Sequence, residues 1–272
     1  MIKKYRTAIV TGASRGVGVY IAKALAKEGM DLVLAARNVA GLDSVASEIK
    51  SLGVRAISIP TDILDLKALK KLVSTAEKEL GAIDVLVNNA AVESSMFFHK
   101  EGPEVIEQIM DTNLTAPMLL TQLVLPGMIQ KKRGHIINIA SLVARIPLPY
   151  SIAYATSKAG LAHFTASLRA EYRGTGVRAS TIMAGQFTDT GLSAQGLKNA
   201  GVIKPNSVPT SPPEMAGQAV IRALKKDLSE IGIPAPALMF TRIPALGTLF
   251  LKGTGVIGMI KQIAEVRARM QE

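Results

Sequence analysis

Short apolar runs alternate along the chain with stretches whose apolar residues recur every three to four positions. The runs are Thr7 to Thr11 (TAIVT), Asp31 to Ala35 (DLVLA), Arg55 to Ile59 (RAISI), Ile83 to Val87 (IDVLV), His135 to Ile139 (HIINI) and Val177 to Met183. Their length and β-branched content predict buried strands. Helical spacing marks Val17 to Lys27, Leu42 to Leu52, Leu66 to Leu80, an interrupted region from Pro103 to Ile129, Ala153 to Arg173 and Pro213 to Leu228. Strands that alternate with helices imply right-handed βαβ units and a mostly parallel sheet covered on both faces. Glu230 to Pro234 is a candidate seventh strand. No linker, repeat or low-complexity segment interrupts the pattern, so one domain is expected over 1–272. Its core should end near 234, with an apolar extension over 235–272. Ala184 to Pro213 is polar and rich in Gly, Pro, Ser and Thr; a loop of that length is usually a functional lid or a disordered segment.

Composition narrows the chemistry. Hydrophobic residues make up 48% and aromatic ones only 4%, so the core must be aliphatic. There is no cysteine, which excludes thiol catalysis, disulfides and Cys-ligated metal. His99, His135 and His163 have no ligand spacing, so no metal site is expected. The formal net charge is +11, yet the basic residues are dispersed and lack the interleaved aromatics that stack bases. Nucleic acid is therefore not an expected partner. The first strand begins too close to Met1 for a signal peptide, and Pro234, Pro236 and Pro244 break the apolar tail below the length a membrane span needs. A cytoplasmic protein is expected, with the tail as a candidate peripheral membrane contact.

Between the first strand and first helix lies Thr11-Gly12-Ala13-Ser14-Arg15-Gly16-Val17-Gly18. At such a junction free backbone N–H groups and the helix dipole favour an anion, and glycines let the backbone approach a pyrophosphate. No Gly-Lys-Ser/Thr ends the loop, so it is not a P-loop. The second strand ends Ala35-Ala36-Arg37, where an acid would otherwise meet a ribose 2′-hydroxyl. Arg37 and Arg15 together suit a 2′-phosphate through forked, charge-assisted hydrogen bonds. The expected cofactor is NADP(H) rather than NAD(H).

Tyr154 and Lys158 stand at i and i+4 on a predicted helix and so share a face. An ammonium near a phenol favours the phenolate, which should lower the Tyr154 pKa toward working pH. Such a tyrosine can give a proton to a carbonyl oxygen as hydride arrives, or take one from an alcohol. Ser141, at the end of the fifth strand, is placed to hydrogen-bond the same substrate oxygen.

The ordered set TGxxxGxG, Asn88-Asn89-Ala90-Ala91, Ser141 and Tyr154-x-x-x-Lys158 resembles the classical short-chain dehydrogenase/reductase family, from about Arg6 to about Leu228. The resemblance implies a doubly wound Rossmann fold with strand order 3-2-1-4-5-6-7. It implies that Lys158 also binds the nicotinamide ribose and that Asn113 completes a proton relay. It gives Asp62, with Ile63 beside it, a contact to adenine; Asp62 also suits an N-cap for the helix that follows. Asn89 and Ala90 would lie beside the cofactor, with Asn89 securing the turn after the fourth strand. Helices around Asn113 and Tyr154 pair across dimers in this family, so a homo-oligomer, dimer or tetramer, is expected.

Three departures stand out. Ala91 replaces the family's last glycine, which a negative backbone angle would tolerate. Ala184-Gly185-Gln186-Phe187-Thr188-Asp189-Thr190 lacks the usual proline, and either Thr188 or Thr190 would serve the carboxamide, with Gly185 and Phe187 beside the nicotinamide. The tail ends in a charged amphipathic helix from about Gly258 to Met270, readable as a flap over the core, an interface, or a lipid- or substrate-facing element. Val92, Met96 and Phe97, with Leu142, Val143 and Ala144, suggest an apolar pocket. The expected activity is interconversion of a carbonyl and a secondary alcohol on a small, hydrophobic substrate. The alternatives are a catalytically idle NADP(H)-binding sensor or scaffold, or a membrane-surface protein acting through its tail.

Overall fold

Each of the predicted runs becomes a strand of one seven-stranded sheet in the order β3-β2-β1-β4-β5-β6-β7. In this computed structural model, which describes residues 4–235, 249 and 252–270, the strands are β1 (Thr7–Thr11), β2 (Asp31–Ala36), β3 (Ala56–Pro60), β4 (Val85–Asn88), β5 (Gly134–Ser141), β6 (Val177–Ala184) and β7 (Glu230–Ile233). Every pairing is parallel. Central strands are buried on both faces, which is why β1 and β4 read as nearly continuous apolar runs rather than alternating ones. The architecture is a Rossmann-like domain, as expected.

Helices α1 (Val17–Lys27), α2 (Val39–Lys50) and α8 (Glu214–Lys226) supply one face of the sheet. Leu25, Ile21, Leu42, Ile49 and Val220 pack there against Val10 and Leu34. On the other face, α3 (Leu66–Leu80), α5 (Ala116–Gln130) and α6 (Ile152–Glu171) bury Leu69, Leu72, Leu120, Val124 and Leu168 against Ile9, Leu86 and Ile136. Asp65, not Asp62, caps α3, accepting from Lys67 N–H at 2.7 Å. Asp62 instead accepts from Leu64 N–H at 3.0 Å, closing a tight turn one step earlier.

Two departures concern the site. The interrupted region is α4 (Pro103–Met110) joined to α5 by a π-turn over Asp111–Thr115. The segment expected as a loop contains α7 (Gly191–Ala200), ended by left-handed Gly201. Two glycines, Gly191 and Gly196, depress its helix propensity, so local sequence reads as loop. Tertiary packing of Leu197 in a third apolar cluster with Ile146, Val208, Met259 and Ile263 supports the helix. The last two residues belong to the C-terminal helix α9 (Val256–Arg269). Its buried residues Val256, Met259, Ile260 and Ile263 share that cluster with Leu197 of α7. The apolar stretch over 236–248 lies outside the described residues.

A polar ladder ties α6 to the sheet. Asn88 Nδ2 donates to Asn138 Oδ1 at 2.8 Å, and Asn138 Nδ2 donates to Thr165 Oγ1 at 2.8 Å. All three are buried, so a broken link would leave an unpaired polar group at a cost of about 1–3 kcal/mol.

His135, fully buried on β5, makes the fold acid-sensitive. Ser180 donates its hydroxyl hydrogen to Leu228 O, so it accepts from His135 Nε2 at 2.7 Å. Burial, with Arg169, Arg178 and Lys4 nearby, pulls the His135 pKa down to about 3. A base with a depressed pKa is charged more readily in the unfolded chain. Its contribution is therefore full above the unfolded value near 6.5 and is lost as pH falls toward the folded value. Stability should fall by up to about 1.4 kcal/mol per pH unit below about pH 6 from this group. Urea midpoints at neutral and acid pH check this: H135Q should lose less than the wild type on acidification. Equal losses would assign the acid sensitivity elsewhere.

Candidate active site

Strand order reverses between β1 and β4, and parallel sheets open a crevice at such a point beyond their carboxyl ends. A cavity of about 900 Å3 lies there. Residues just past β1, β2, β4, β5 and β6 line it.

The glycine loop forms one wall. Gly12 and Gly16 have φ of +66° and +63°, which favour glycine. A Cβ on Gly18 would overlap the Gly12 carbonyl oxygen, so α1 can start this close to β1 only with glycine there. No side chain caps α1, which leaves the N–H groups of its first turn available to an anion. The Thr11 hydroxyl accepts from Asn89 and Ala90 N–H at 3.0 and 3.1 Å, and Asn89 Nδ2 donates to Thr11 O at 2.9 Å. Asn89 thus locks the turn after β4 onto β1. Ala91 has no positive φ, so its methyl is unstrained.

Arg15 and Arg37 both line the cavity, are exposed, and have no acidic partner among the described residues. Ser14, Val17 and Ile63 also line it, whereas Asp62 does not. Of the two candidate threonines, Thr190 faces the cavity and lies near Gly16. Thr188 is exposed and donates to Thr210 Oγ1 at 3.0 Å. Phe187 bridges to Ser211 with its ring buried, which turns its neighbour Thr188 outward. Gly185 N–H donates to Ile233 O at 2.8 Å, an approach that leaves little room for a side chain.

Ser141, Tyr154 and Lys158 gather on the wall across from Arg37. They stand on and beside β5, three strand spacings or about 14 Å from β2. Lys158 is buried and donates to Ile139 O at 2.9 Å, with Nζ 5.8 Å from the centre of the Tyr154 ring. Burial pulls the Lys158 pKa down to about 8, against an opposing pull from Glu93. The Tyr154 pKa is raised, not lowered as the sequence suggested. Burial is the main cause and the Glu93 carboxylate adds to it, while a hydrogen bond with Ser141 opposes both. The Lys158 ammonium is already engaged with the Ile139 carbonyl. Tyr154 is thus a protonated acid at neutral pH.

Asn113 is fully buried at the π-turn. Its Oδ1 accepts from Val92 N–H at 2.9 Å, and its Nδ2 donates to Val92 O at 2.8 Å and Ser157 Oγ at 3.0 Å. The side chain therefore fixes the loop after β4 against α6, and its amide hydrogens are both in use.

Sequence reasoning missed Glu93 and the α7 residues Ser193, Gln195 and Lys198, all in the cavity wall. The segment after Asn89 was expected to be mostly apolar, but Glu93 faces the cavity while Met96 and Phe97 do not line it. An acid inside the NNAAVES run was the available signal. Leu142 and Val143 do line the cavity, with Leu148, Val256 and Ile260.

A doubly wound sheet, a glycine-lined helix start and a tyrosine-lysine pair beside a serine define a nucleotide-binding oxidoreductase. The chain belongs to the short chain dehydrogenase family, whose model matches residues 6–200. It is 39% identical over 226 residues to ketoacyl reductase HetN of Nostoc sp., covering 83% of this chain and 77% of that protein. It is 30% identical over 256 residues to dehydrogenase/reductase SDR family member 7B of Bos taurus, covering 89% and 78% respectively. A metagenomic short-chain oxidoreductase solved with NADP is 33% identical with a TM-score of 0.71, covering 83% of this chain and 95% of that one. An actinorhodin polyketide ketoreductase variant solved with NADPH is 26% identical with a TM-score of 0.78, covering 84% and 95%.

Proposed function

We propose that the protein is an NADP(H)-dependent oxidoreductase that interconverts a carbonyl and a secondary alcohol on an apolar substrate. One observation carries the reading: Ser141, Tyr154 and Lys158 line the same cavity as an uncapped, glycine-lined helix start and two arginines that have no acidic partner among the described residues. The residues fit a dinucleotide phosphate. The first turn of α1 would take its pyrophosphate, Arg15 and Arg37 its 2′-phosphate, and Lys158 its nicotinamide ribose, with Phe187 and Thr190 near the ring. The bound cofactor supplies the hydride. Tyr154 gives the proton to the carbonyl oxygen, Ser141 hydrogen-bonds that oxygen, and Lys158 stabilises the phenolate left behind. Similar chains bind NADP, and one relative carries the name ketoacyl reductase.

Leu142, Val143, Leu148, Phe187, Val256 and Ile260 make the cavity wall largely apolar beside these groups. The membrane reading of the tail is less favoured: Val256, Met259, Ile260 and Ile263 of α9 are buried within the protein. Among the described residues no helix is long and apolar enough to cross a membrane.

NADPH oxidation should be measured across matched ketones of increasing chain length. Each added methylene that enters the wall should raise kcat/KM about fourfold, from about 0.8 kcal/mol per buried methylene, until the space is filled. Equal values for short and long ketones would remove the apolar assignment. No turnover across a broad carbonyl panel, with NADPH bound, would favour the sensor or scaffold.

A further inference from the structure

Three elements with no sequence proximity meet at Gly196. Glu93 comes from the loop after β4, Gly196 from α7, and Arg267 from the last turn of α9. A Cβ on Gly196 would lie 3.3 Å from Glu93 Oε1 and 3.8 Å from an Arg267 guanidinium nitrogen. The missing side chain leaves room for both charged groups beside α7. Glu93 also lines the cavity that holds Tyr154 and Lys158. Its neighbour Val92 is clamped on both backbone polar groups by buried Asn113, so Glu93 is held on a fixed base.

We infer that Glu93 is a positioning residue that acts through Lys158, and that Arg267 of the C-terminal helix acts on Lys158 through Glu93. Among the described residues, the charged or titratable groups coupled to Glu93 are Arg267 on α9 and Lys158 with Tyr154 on α6; α7 presents Gly196 beside it. Burial pushes the Glu93 pKa up to about 7, while Arg267 and Lys158 hold it back. The carboxylate in turn keeps Lys158 charged against its own burial, and disfavours the Tyr154 phenolate. Docking of α9 therefore sets the charge of Glu93, and Glu93 sets the proton affinity of both members of the pair. The two shift in the same direction when Glu93 is neutralised: each loses its proton at lower pH.

This inference rests on the roles given above to Tyr154 and Lys158, but its first test does not need turnover. Competitive labelling of Lys158 with acetic anhydride, followed by mass spectrometry across pH, reads its titration directly. E93Q should move that titration down by about 1 pH unit. R267Q should move it the same way by less, since a carboxylate without its guanidinium is more often protonated. R267Q added to E93Q should add nothing, because the path through Glu93 is already gone. The alkaline limb of kcat/KM for ketone reduction should follow the same order. An unmoved Lys158 titration in E93Q overturns the inference, as does an additive double variant. Either result would leave the reading of Tyr154 standing. A Tyr154→Phe variant with full turnover would instead remove that reading while the labelling result held. Should E93Q fail to fold, R267Q alone decides, by a downward shift or none.

Discussion

Replacing Tyr154 with Phe should lower carbonyl reduction by about 10² to 10⁴-fold, the usual contribution of a positioned general acid, and leave NADPH binding in place. The substitution removes one oxygen and keeps the ring. That ring is half-buried on α6, beside Lys158 Nζ and across from the glycine loop. The hydroxyl has one evident hydrogen-bonding neighbour, Ser141, so its loss should cost little structure. The direction of its pKa shift adds a second expectation. Because burial and Glu93 raise it, the proton is present throughout the neutral range and reduction needs no prior protonation step. Alcohol oxidation needs the phenolate, so its rate should climb with pH where reduction is flat or falling. Stopped-flow measurement of both directions with wild type and variant, plus a fluorescence titration of NADPH, separates chemistry from binding. A variant that reduces ketones at the wild-type rate would sink the mechanism.

How far the sequence carries the site depends on the range of the interactions involved. The glycine loop, Arg37, Ser141 and the Tyr154-Lys158 spacing are legible because each sits at a strand end or on one helix face. Local rules of period and position place them without knowledge of the rest of the chain. The sheet order follows from the resemblance together with the handedness of βαβ units. What was not legible lies between distant segments. Glu93 and Arg267 meet only because α9 folds back over α7, and α7 itself is a helix only through its apolar neighbours. The direction of the Tyr154 shift fails for the same reason. Spacing places an ammonium beside the phenol, but the depth of burial and the Glu93 carboxylate are properties of the folded chain. Thr188 and Thr190 could not be separated until the Phe187 bridge to Ser211 fixed which of them faces inward.

Cofactor choice gives the second large effect. Replacing both Arg15 and Arg37 with Ala should weaken NADPH binding about 100-fold and leave NADH binding nearly unchanged, taking about 1.4 kcal/mol per arginine near the low end for hydrogen bonds to charged groups. The low end applies because both side chains are exposed and screened. Their lack of an acidic partner among the described residues matters here: no ion pair within that set must break before they meet a phosphate dianion. Arg37 follows β2, where a carboxylate would otherwise meet a ribose hydroxyl, and Arg15 rises from the glycine loop opposite. A single R37D change should go further. It puts an acceptor where a 2′-hydroxyl can donate and sets a like charge against a 2′-phosphate, so the preference should turn toward NADH. Dissociation constants for both cofactors, measured at two salt concentrations, test the assignment. The NADPH advantage should shrink with salt in the wild type and be largely absent from the double variant. Equal losses for NADPH and NADH would reduce the two arginines to general surface charge and withdraw the preference for NADP(H).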